Sequence, residues 1–152
     1  METREHIADQ LARTFDGKAW HGDAITKILQ GIDPEKASQK SVQHIHSIWE
    51  IVLHMIAWEQ VVINSLHGET YKGVGGEQNW PPVKETTPEV WRFTLKRLEE
   101  TTLKLKESIL SFPEATLHEN VPGQNFTFYV LIHGVIQHNL YHGGQIALLK
   151  KR

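Results

Sequence analysis

The chain contains ten histidines and no cysteine among its 152 residues, so imidazole is its main soft ligand for a metal ion. Neutral imidazole binds zinc, nickel, iron and similar divalent metals. The absence of cysteine excludes disulfides, thiolate metal sites and a cysteine nucleophile. Any metal chemistry therefore depends on whether some of the ten histidines lie close together in the folded chain.

Two of the histidines share one face of the last predicted helix. His138 and His142 are four residues apart, so their side chains lie one turn apart on the same side of that helix. Burying two imidazoles without partners is costly, and a shared metal ion or hydrogen bonds would satisfy them. They belong to a predicted inward stripe that consists of Leu131, Val135, His138, His142, Gln145 and Leu149.

A third histidine lies on the apolar face of the second predicted helix. His54 is flanked on this face by Ile51 and Met55. If this helix packs beside the last one, His54, His138 and His142 form a half-open site for zinc, nickel, iron or a similar divalent ion. Water or substrate would take the remaining ligand positions. The alternative for His54 is a hydrogen-bonded core histidine, and the pattern alone leaves both interpretations open.

The other histidines have weaker claims to a shared site. His133 is turned away from His138 on the same helix, and His44 and His46 are about two turns from His54. Surface or loop positions are predicted for His6, His67 and His118, while His21 is undecided. A haem site is disfavoured, because an i, i+4 pair suits one ion better than two opposite axial positions. The sequence also lacks the H-E-x-x-H and E-x-x-H metal motifs and the phosphate-binding G-x-x-x-x-G-K-[ST] motif.

The elements that must position these residues are four predicted helices, and no segment is predicted as a strand. They run from about Thr3 to Gln30 with a kink near Gly17 and Gly22, from Ser47 to before Gly68, from Thr87 to Phe112, and from Thr127 to about Lys150. Four helices of similar length predict an all-α four-helix bundle with long crossover loops, formed by one domain over residues 1–152. The Gly- and Pro-rich loop 69–86 is predicted to be a lid, a binding loop or an ordered flap.

The charge balance and the apolar pattern exclude several classes of partner. The 16 basic and 18 acidic residues give a formal charge of −2, which argues against a nucleic-acid partner. There is no apolar run of membrane-spanning length and no secretion signal at the first residues, so we expect no membrane association. With cysteine absent as well, we expect a cytoplasmic protein.

Three segments resemble the DinB-like superfamily, which includes the DinB/YfiT-like proteins and the bacillithiol S-transferases. The resemblance covers nearly the whole chain and implies a four-helix bundle with a long crossover, often a homodimer. It also implies a divalent metal ion held by His54, His138 and His142. The segments that carry it are Trp20-His21-Gly22; Ser47-Ile48-Trp49-Glu50 through Leu53-His54 to Ala57-Trp58-Glu59; and His133-Gly134 through Gln137-His138 to Tyr141-His142-Gly143-Gly144-Gln145-Ile146.

The resemblance implies a metal-dependent enzyme of the thiol S-transferase or hydrolase type that acts on a small molecule. A thiol at such a site would be a low-molecular-weight cofactor, because the chain has no cysteine of its own. The alternative is a non-catalytic metal-binding or stress-responsive dimeric protein. No catalytic residue can be assigned, and Glu50 and Glu59 are expected to act at most from outside the ligand set.

Other side chains near the predicted site have two open interpretations each. Gln145 is expected either to orient a ligand or to bond a neighbouring helix. Trp80 is expected to be a lid over the site or to pack on the end of the bundle. Tyr141 is expected to pack between helices, and Trp49, Trp58 and Trp91 are expected to be core or interface aromatics.

Overall fold

The computed structural model describes residues 2–40 and 46–152, and these residues are largely helical with no strand. His44 lies outside the described residues, so its predicted position is not addressed. The α-helices are α1 (Thr3–Asp16), α2 (Ile25–Leu29), α3 (Pro34–Ser38), α4 (Ile48–Leu66), α5 (Gly76–Asn79), α6 (Pro88–Ser111) and α7 (Phe128–Lys150), with a short 3-10 helix at Glu114–Thr116.

The three long helices after residue 46 begin at the predicted caps. The side chain of Ser47 accepts a hydrogen bond from the amide of Glu50, and the Glu50 carboxylate accepts one from the amide of Ser47. Thr87 and Thr127 cap α6 and α7 by accepting from the amide three residues later. These side chains satisfy amides that have no partner within the helix, which fixes where each helix starts.

The prediction of one helix from Thr3 to Gln30 is wrong. The chain leaves the helical conformation at Gly17, and Gly22 adopts φ 129°, which side-chain-bearing residues rarely reach. The helix therefore stops at Asp16, and α2 is a separate helix. The predicted connections also contain helical turns, since α3 lies between α2 and α4, and α5 lies within the long loop before α6.

The buried core shows the directions of the four long helices. One part of the core contains residues from the beginnings of α1 and α7 and from the ends of α4 and α6: Ile7, Ile132, Leu66 and Ile109. The other part contains residues from the opposite ends of the same helices: Phe15, Ile146, Trp49 and Trp91. Thus α1 and α7 run one way and α4 and α6 the other. Both α1 and α4 contact α6 and α7, an arrangement compatible with a four-helix bundle.

A long crossover follows from these directions. Because α4 ends at one end of the molecule and α6 begins at the other, residues 67–87 return along its length. This segment contains α5, which packs against α4. It brings Asn79 and Trp80 beside the first half of α4, where His54 lies. Within the described ranges, no helix is long and apolar enough to span a membrane.

Candidate metal centre

The imidazoles of His54, His138 and His142 converge where α4 packs against α7. The Nε2 atom of His138 lies 2.9 Å from that of His54 and 3.1 Å from that of His142. Each of the three residues offers a ring nitrogen, and these nitrogens all lie within 4.8 Å of one another. The sequence-predicted trio, here named the histidine cluster, is therefore brought together by the fold.

Two of the rings are anchored through their other nitrogen. Nδ1 of His54 donates to the backbone carbonyl of Asn79 at 2.6 Å, and Nδ1 of His142 donates to Oε1 of Gln145 at 2.6 Å. Since the proton is on Nδ1 in both rings, Nε2 of each neutral ring carries an unprotonated lone pair. Gln145 thus orients a ring of the cluster, which is one of its two predicted roles.

The chemistry of these donors fits a divalent cation. A proton on Nε2 of His138 can serve only one of its two neighbours, and Nδ1 of His138 is buried with no partner among the described residues. Two nitrogens that bind one ion at about 2.1 Å each, with an angle of about 90° at the ion, are about 3 Å apart. The two Nε2 separations that involve His138, 2.9 Å and 3.1 Å, agree with this distance. Zinc, nickel and iron are all compatible with three imidazoles.

Burial keeps the three rings neutral. Desolvation lowers the pKa of His54 and of His142, and it lowers the pKa of His138 to about 4, with repulsion from His142 and His54 adding to the effect. An imidazole binds a metal only in its neutral form. The cluster is therefore already in its ligand form at neutral pH.

The cluster lies at the border of the core rather than within it. The most deeply buried face of α7 passes through Ile132, Asn139 and Ile146, one position beyond the predicted stripe. His142 is buried, whereas His138 and Gln145 are half-buried. The predicted stripe thus forms one flank of the core, and this position gives the histidine cluster access to the adjoining pockets.

Trp80 lies between two imidazoles. Its ring stacks on His54 with a centroid separation of 3.8 Å and on His46, on its other face, at 3.5 Å. Trp80 therefore covers one face of His54, and it also packs against the part of the core that contains Trp49 and Trp91. His46 is not part of the histidine cluster, as predicted, but its ring supports the side chain of Trp80, which covers His54.

Asn79, the residue before Trp80, binds the side chains of His54 and Trp58 on α4. The backbone carbonyl of Asn79 accepts from His54, and its side-chain oxygen accepts from Nε1 of Trp58 at 2.9 Å. Asn79 was not predicted as a site residue, because a backbone carbonyl acceptor has no residue-type signature. The Gly- and Pro-rich setting of residues 69–86 was the only available signal that this segment would return to the site.

A second buried polar group lies close to the histidine cluster. Glu59 is fully buried, and its carboxyl contacts Nδ2 of Asn139 at 2.7 Å and Oγ1 of Thr102 at 3.0 Å. Burial raises the pKa of Glu59 to about 8, against the lowering effect of these hydrogen bonds. These three residues are here named the glutamate cluster. Glu50 instead caps α4 and pairs with Lys40 at 2.9 Å.

The predictions for the other aromatic residues and histidines are confirmed for some residues and wrong for others. Trp49 and Trp91 are core residues, and Trp58 is half-buried beside the cluster, as predicted. Tyr141 was predicted to pack between helices, but its side chain is 66% exposed and only its ring edge approaches His142. His133 is half-buried and lies against Tyr129, while the exposed histidines outside the cluster are His6, His21, His67 and His118.

Two pockets adjoin the histidine cluster. A pocket of about 280 Å³ includes His138 and Trp58 in its lining. Another, of about 400 Å³, includes His142, Trp80 and Arg152. Larger surface depressions of about 560 to 670 Å³ lie elsewhere and contain none of the three clustered histidines. The two smaller pockets therefore offer a ligand a route to the histidine cluster.

Fold and site together define an all-α protein with a trihistidine cluster between two of its long helices. The sequence model of the DinB superfamily matches residues 19–146, which is most of the chain. The chain belongs to the DinB superfamily. No curated protein and no solved structure matches it.

Proposed function

We propose that this protein is a divalent-metal-dependent enzyme, of the thiol S-transferase or hydrolase type, that acts on a small molecule. The observation that carries the proposal is the convergence of three imidazole nitrogens, with Nε2 of His138 about 3 Å from Nε2 of His54 and of His142, beside two pockets. His54, His138 and His142 would hold the ion. A divalent ion in such a site supplies Lewis acidity, which activates a water or thiol as a nucleophile near neutral pH.

The surrounding residues prepare this site before any ligand arrives. Asn79 and Gln145 fix the orientation of two ligand rings, which limits the reorganisation that binding requires. Trp80 and Trp58 lie against His54 and His138 and shield them from bulk water. The incoming molecule would therefore meet a water-depleted surface, on which electrostatic interactions are stronger.

Neither of the two glutamates on α4 is placed to act as a base at the histidine cluster. Glu59 faces Thr102 and Asn139 rather than the cluster, and Glu50 caps α4. The sequence has no cysteine, so a thiol nucleophile would enter as a second small molecule. We propose a low-molecular-weight thiol for the transferase reaction and water for the hydrolase reaction.

Metal analysis and turnover of the untagged protein test this proposal. We expect one divalent ion per chain by mass spectrometry, and metal-dependent conjugation of cysteine to monochlorobimane or hydrolysis of p-nitrophenyl acetate. His138→Ala should lose the ion and the activity. His133→Ala, on the same helix but outside the cluster, should keep both. Wild-type protein without stoichiometric metal, or His138→Ala with full metal content, contradicts the proposal.

A second candidate function is a non-catalytic, dimeric metal-binding protein with a role in a stress response. It is favoured by large apolar side chains exposed along α7, namely Val130 at 53%, Tyr141 at 66% and Leu148 at 68%. A second copy of the chain could cover them. Stoichiometric metal and a dimer in sedimentation, without turnover of either substrate, would favour this candidate over the enzyme.

A further inference from the structure

The pocket of about 280 Å³ beside His138 has an apolar lining. Trp58 and Val62 contribute from α4, Tyr71 comes from the crossover, and Phe126 comes from the segment before α7. None of the described residues that line this pocket is Asp, Glu, Lys or Arg. A charged group that entered it would lose hydration without gaining a partner, which is strongly unfavourable.

The aromatic wall of the pocket is fixed by its own contacts. Nε1 of Trp58 donates to Oδ1 of Asn79 at 2.9 Å, so the indole presents its hydrocarbon surface to the cavity. The rings of Tyr71 and Phe126 meet edge to face, with a centroid separation of 5.5 Å. The pocket is therefore formed in the absence of a ligand and favours one that makes aromatic or aliphatic contacts.

Gly134 keeps one side of the pocket open. It lies on α7 one turn before His138, and a Cβ atom added there would meet no protein atom within 4 Å. A glycine inside a helix costs about 1 kcal/mol relative to alanine. The absence of a side chain at this position leaves room directly beside a residue of the histidine cluster.

We propose that this pocket receives an uncharged aromatic or branched aliphatic group of the substrate, with the reacting part of the molecule directed toward His138. The inference rests on the proposed metal-dependent function. An apolar cavity of about 150 Å³ already holds benzene, so this pocket admits a ring with a short substituent. The pocket extends inward to the buried side chains of Val62 and Val135. A small molecule can reach this depth, whereas the flat face of a helix from a second copy of the chain cannot.

Binding of a matched pair of probes tests this inference. Benzyl alcohol carries an uncharged ring, and benzoate carries a ring of the same size with a negative charge. Both are titrated by calorimetry and NMR into zinc-loaded wild type, Gly134→Leu and Gly144→Leu, and into metal-free wild type, in which no ion can bind the carboxylate of benzoate. Gly144 is the matched control, because it lies on α7, is exposed, has no atom within 4 Å of an added Cβ and does not line this pocket.

We expect zinc-loaded wild type and Gly144→Leu to bind benzyl alcohol equally, and metal-free wild type to bind benzoate at least about tenfold more weakly than benzyl alcohol. Gly134→Leu should bind benzyl alcohol at least about tenfold more weakly than wild type, with unchanged zinc content and circular dichroism, because its side chain fills the pocket. Gly134→Ala adds a single methyl group and should weaken binding by a smaller factor. If Gly134→Leu does not fold, the weaker binding of benzyl alcohol by Gly134→Ala tests the same inference.

Different outcomes separate this inference from the proposed function. Zinc-loaded wild type that does not bind benzyl alcohol, or Gly134→Leu that binds it normally, overturns the inference and leaves the metal centre standing. A dimer that Gly134→Leu dissociates, without probe binding to wild type, overturns it in favour of a second copy as the occupant. Probe binding in a protein that takes up no zinc supports the ligand class but contradicts the metal-dependent function.

Discussion

The histidine cluster and the glutamate cluster both contain residues of α4 and α7, with Thr102 of α6 added in the second, yet their hydrogen bonding differs. Oγ1 of Thr102 lies 3.0 Å from the Glu59 carboxyl and 2.9 Å from the carbonyl oxygen of Leu98. A protonated Glu59 can therefore donate to Thr102, which donates to Leu98, while the other carboxyl oxygen accepts from Asn139. The carboxyl of Glu59 is therefore fully bonded without any ligand, although Oδ1 of Asn139 has no partner among the described residues.

The histidine cluster has the opposite property. Its Nε2 atoms face one another, and one proton on His138 cannot serve both of its neighbours. It also adjoins two pockets, whereas the Glu59 carboxyl is fully buried and only Thr102 of the glutamate cluster lines a surface depression. The comparison separates two kinds of buried polar group. A buried carboxyl with hydrogen-bond partners stabilises the fold, and facing imidazole nitrogens beside a cavity are a candidate ligand site.

The largest expected effect is the loss of stability on removing the Glu59 carboxyl. Glu59→Ala leaves a cavity and an unpaired Asn139 amide, so we expect the free energy of unfolding to fall by about 2–4 kcal/mol. Urea denaturation at pH 7 measures it. Glu59→Gln preserves the pattern of donors and acceptors and serves as the control. Loss of metal from a folded Glu59→Ala protein would show that the two clusters are not separable.

The next effect concerns metal affinity rather than stability. Gln145→Ala removes the acceptor that fixes His142, so we expect divalent-metal affinity to fall by about 10–100-fold. Competition with a chromophoric chelator measures it. Gln137→Ala, at an exposed position of the same helix, should leave the affinity unchanged. Equal affinities for the two variants would mean that the hydrogen bond to His142 does not orient a ligand.

A smaller effect is the pH dependence of stability in the metal-free protein. Since the pKa of Glu59 is raised to about 8, the folded chain retains a proton that the unfolded chain releases. Glu59 should therefore contribute a loss of stability with rising pH, with a slope approaching 1.4 kcal/mol per pH unit as a rough upper bound, up to about pH 8. The histidines whose pKa values are lowered, His54, His133, His138 and His142, contribute the opposite slope around and below their ordinary pKa of 6.5.

Chemical denaturation across this pH range measures the slope directly. Glu59→Gln has no titrating carboxyl at this position but keeps the histidines, so its stability should rise with pH near pH 6.5, and the difference between wild type and Glu59→Gln gives the Glu59 slope. A wild-type protein with the same profile as Glu59→Gln would show that Glu59 is ionised in the folded chain.

The smallest expected effect is on the stability of a metal-free variant of the histidine cluster. His138→Leu removes a half-buried ring whose Nδ1 has no partner among the described residues. We expect the free energy of unfolding to change by less than about 1 kcal/mol, or to rise, because apolar replacement of such groups is often neutral or stabilising. Calorimetry of chelator-treated protein measures it. A larger loss would assign the histidine cluster a structural role.

Local sequence patterns predicted the helix starts well, because the bonds that set them are local. Ser47, Thr87 and Thr127 each cap a helix through an amide three residues away. The same patterns failed between Gly17 and Gly22. Apolar spacing continued through this segment, but the backbone conformations of the two glycines divide the predicted helix into separate pieces.

The sequence by itself determined the pairing of His138 with His142, since a spacing of four residues on a helix places two side chains together. It also predicted His54 as their partner, although only the packing of α4 against α7 brings the three rings into contact. The tertiary structure alone decided that a crossover carbonyl anchors His54 and that Trp80 covers it. The neutral state of Glu59 also depends on packing, because desolvation is set by neighbours that are distant in sequence.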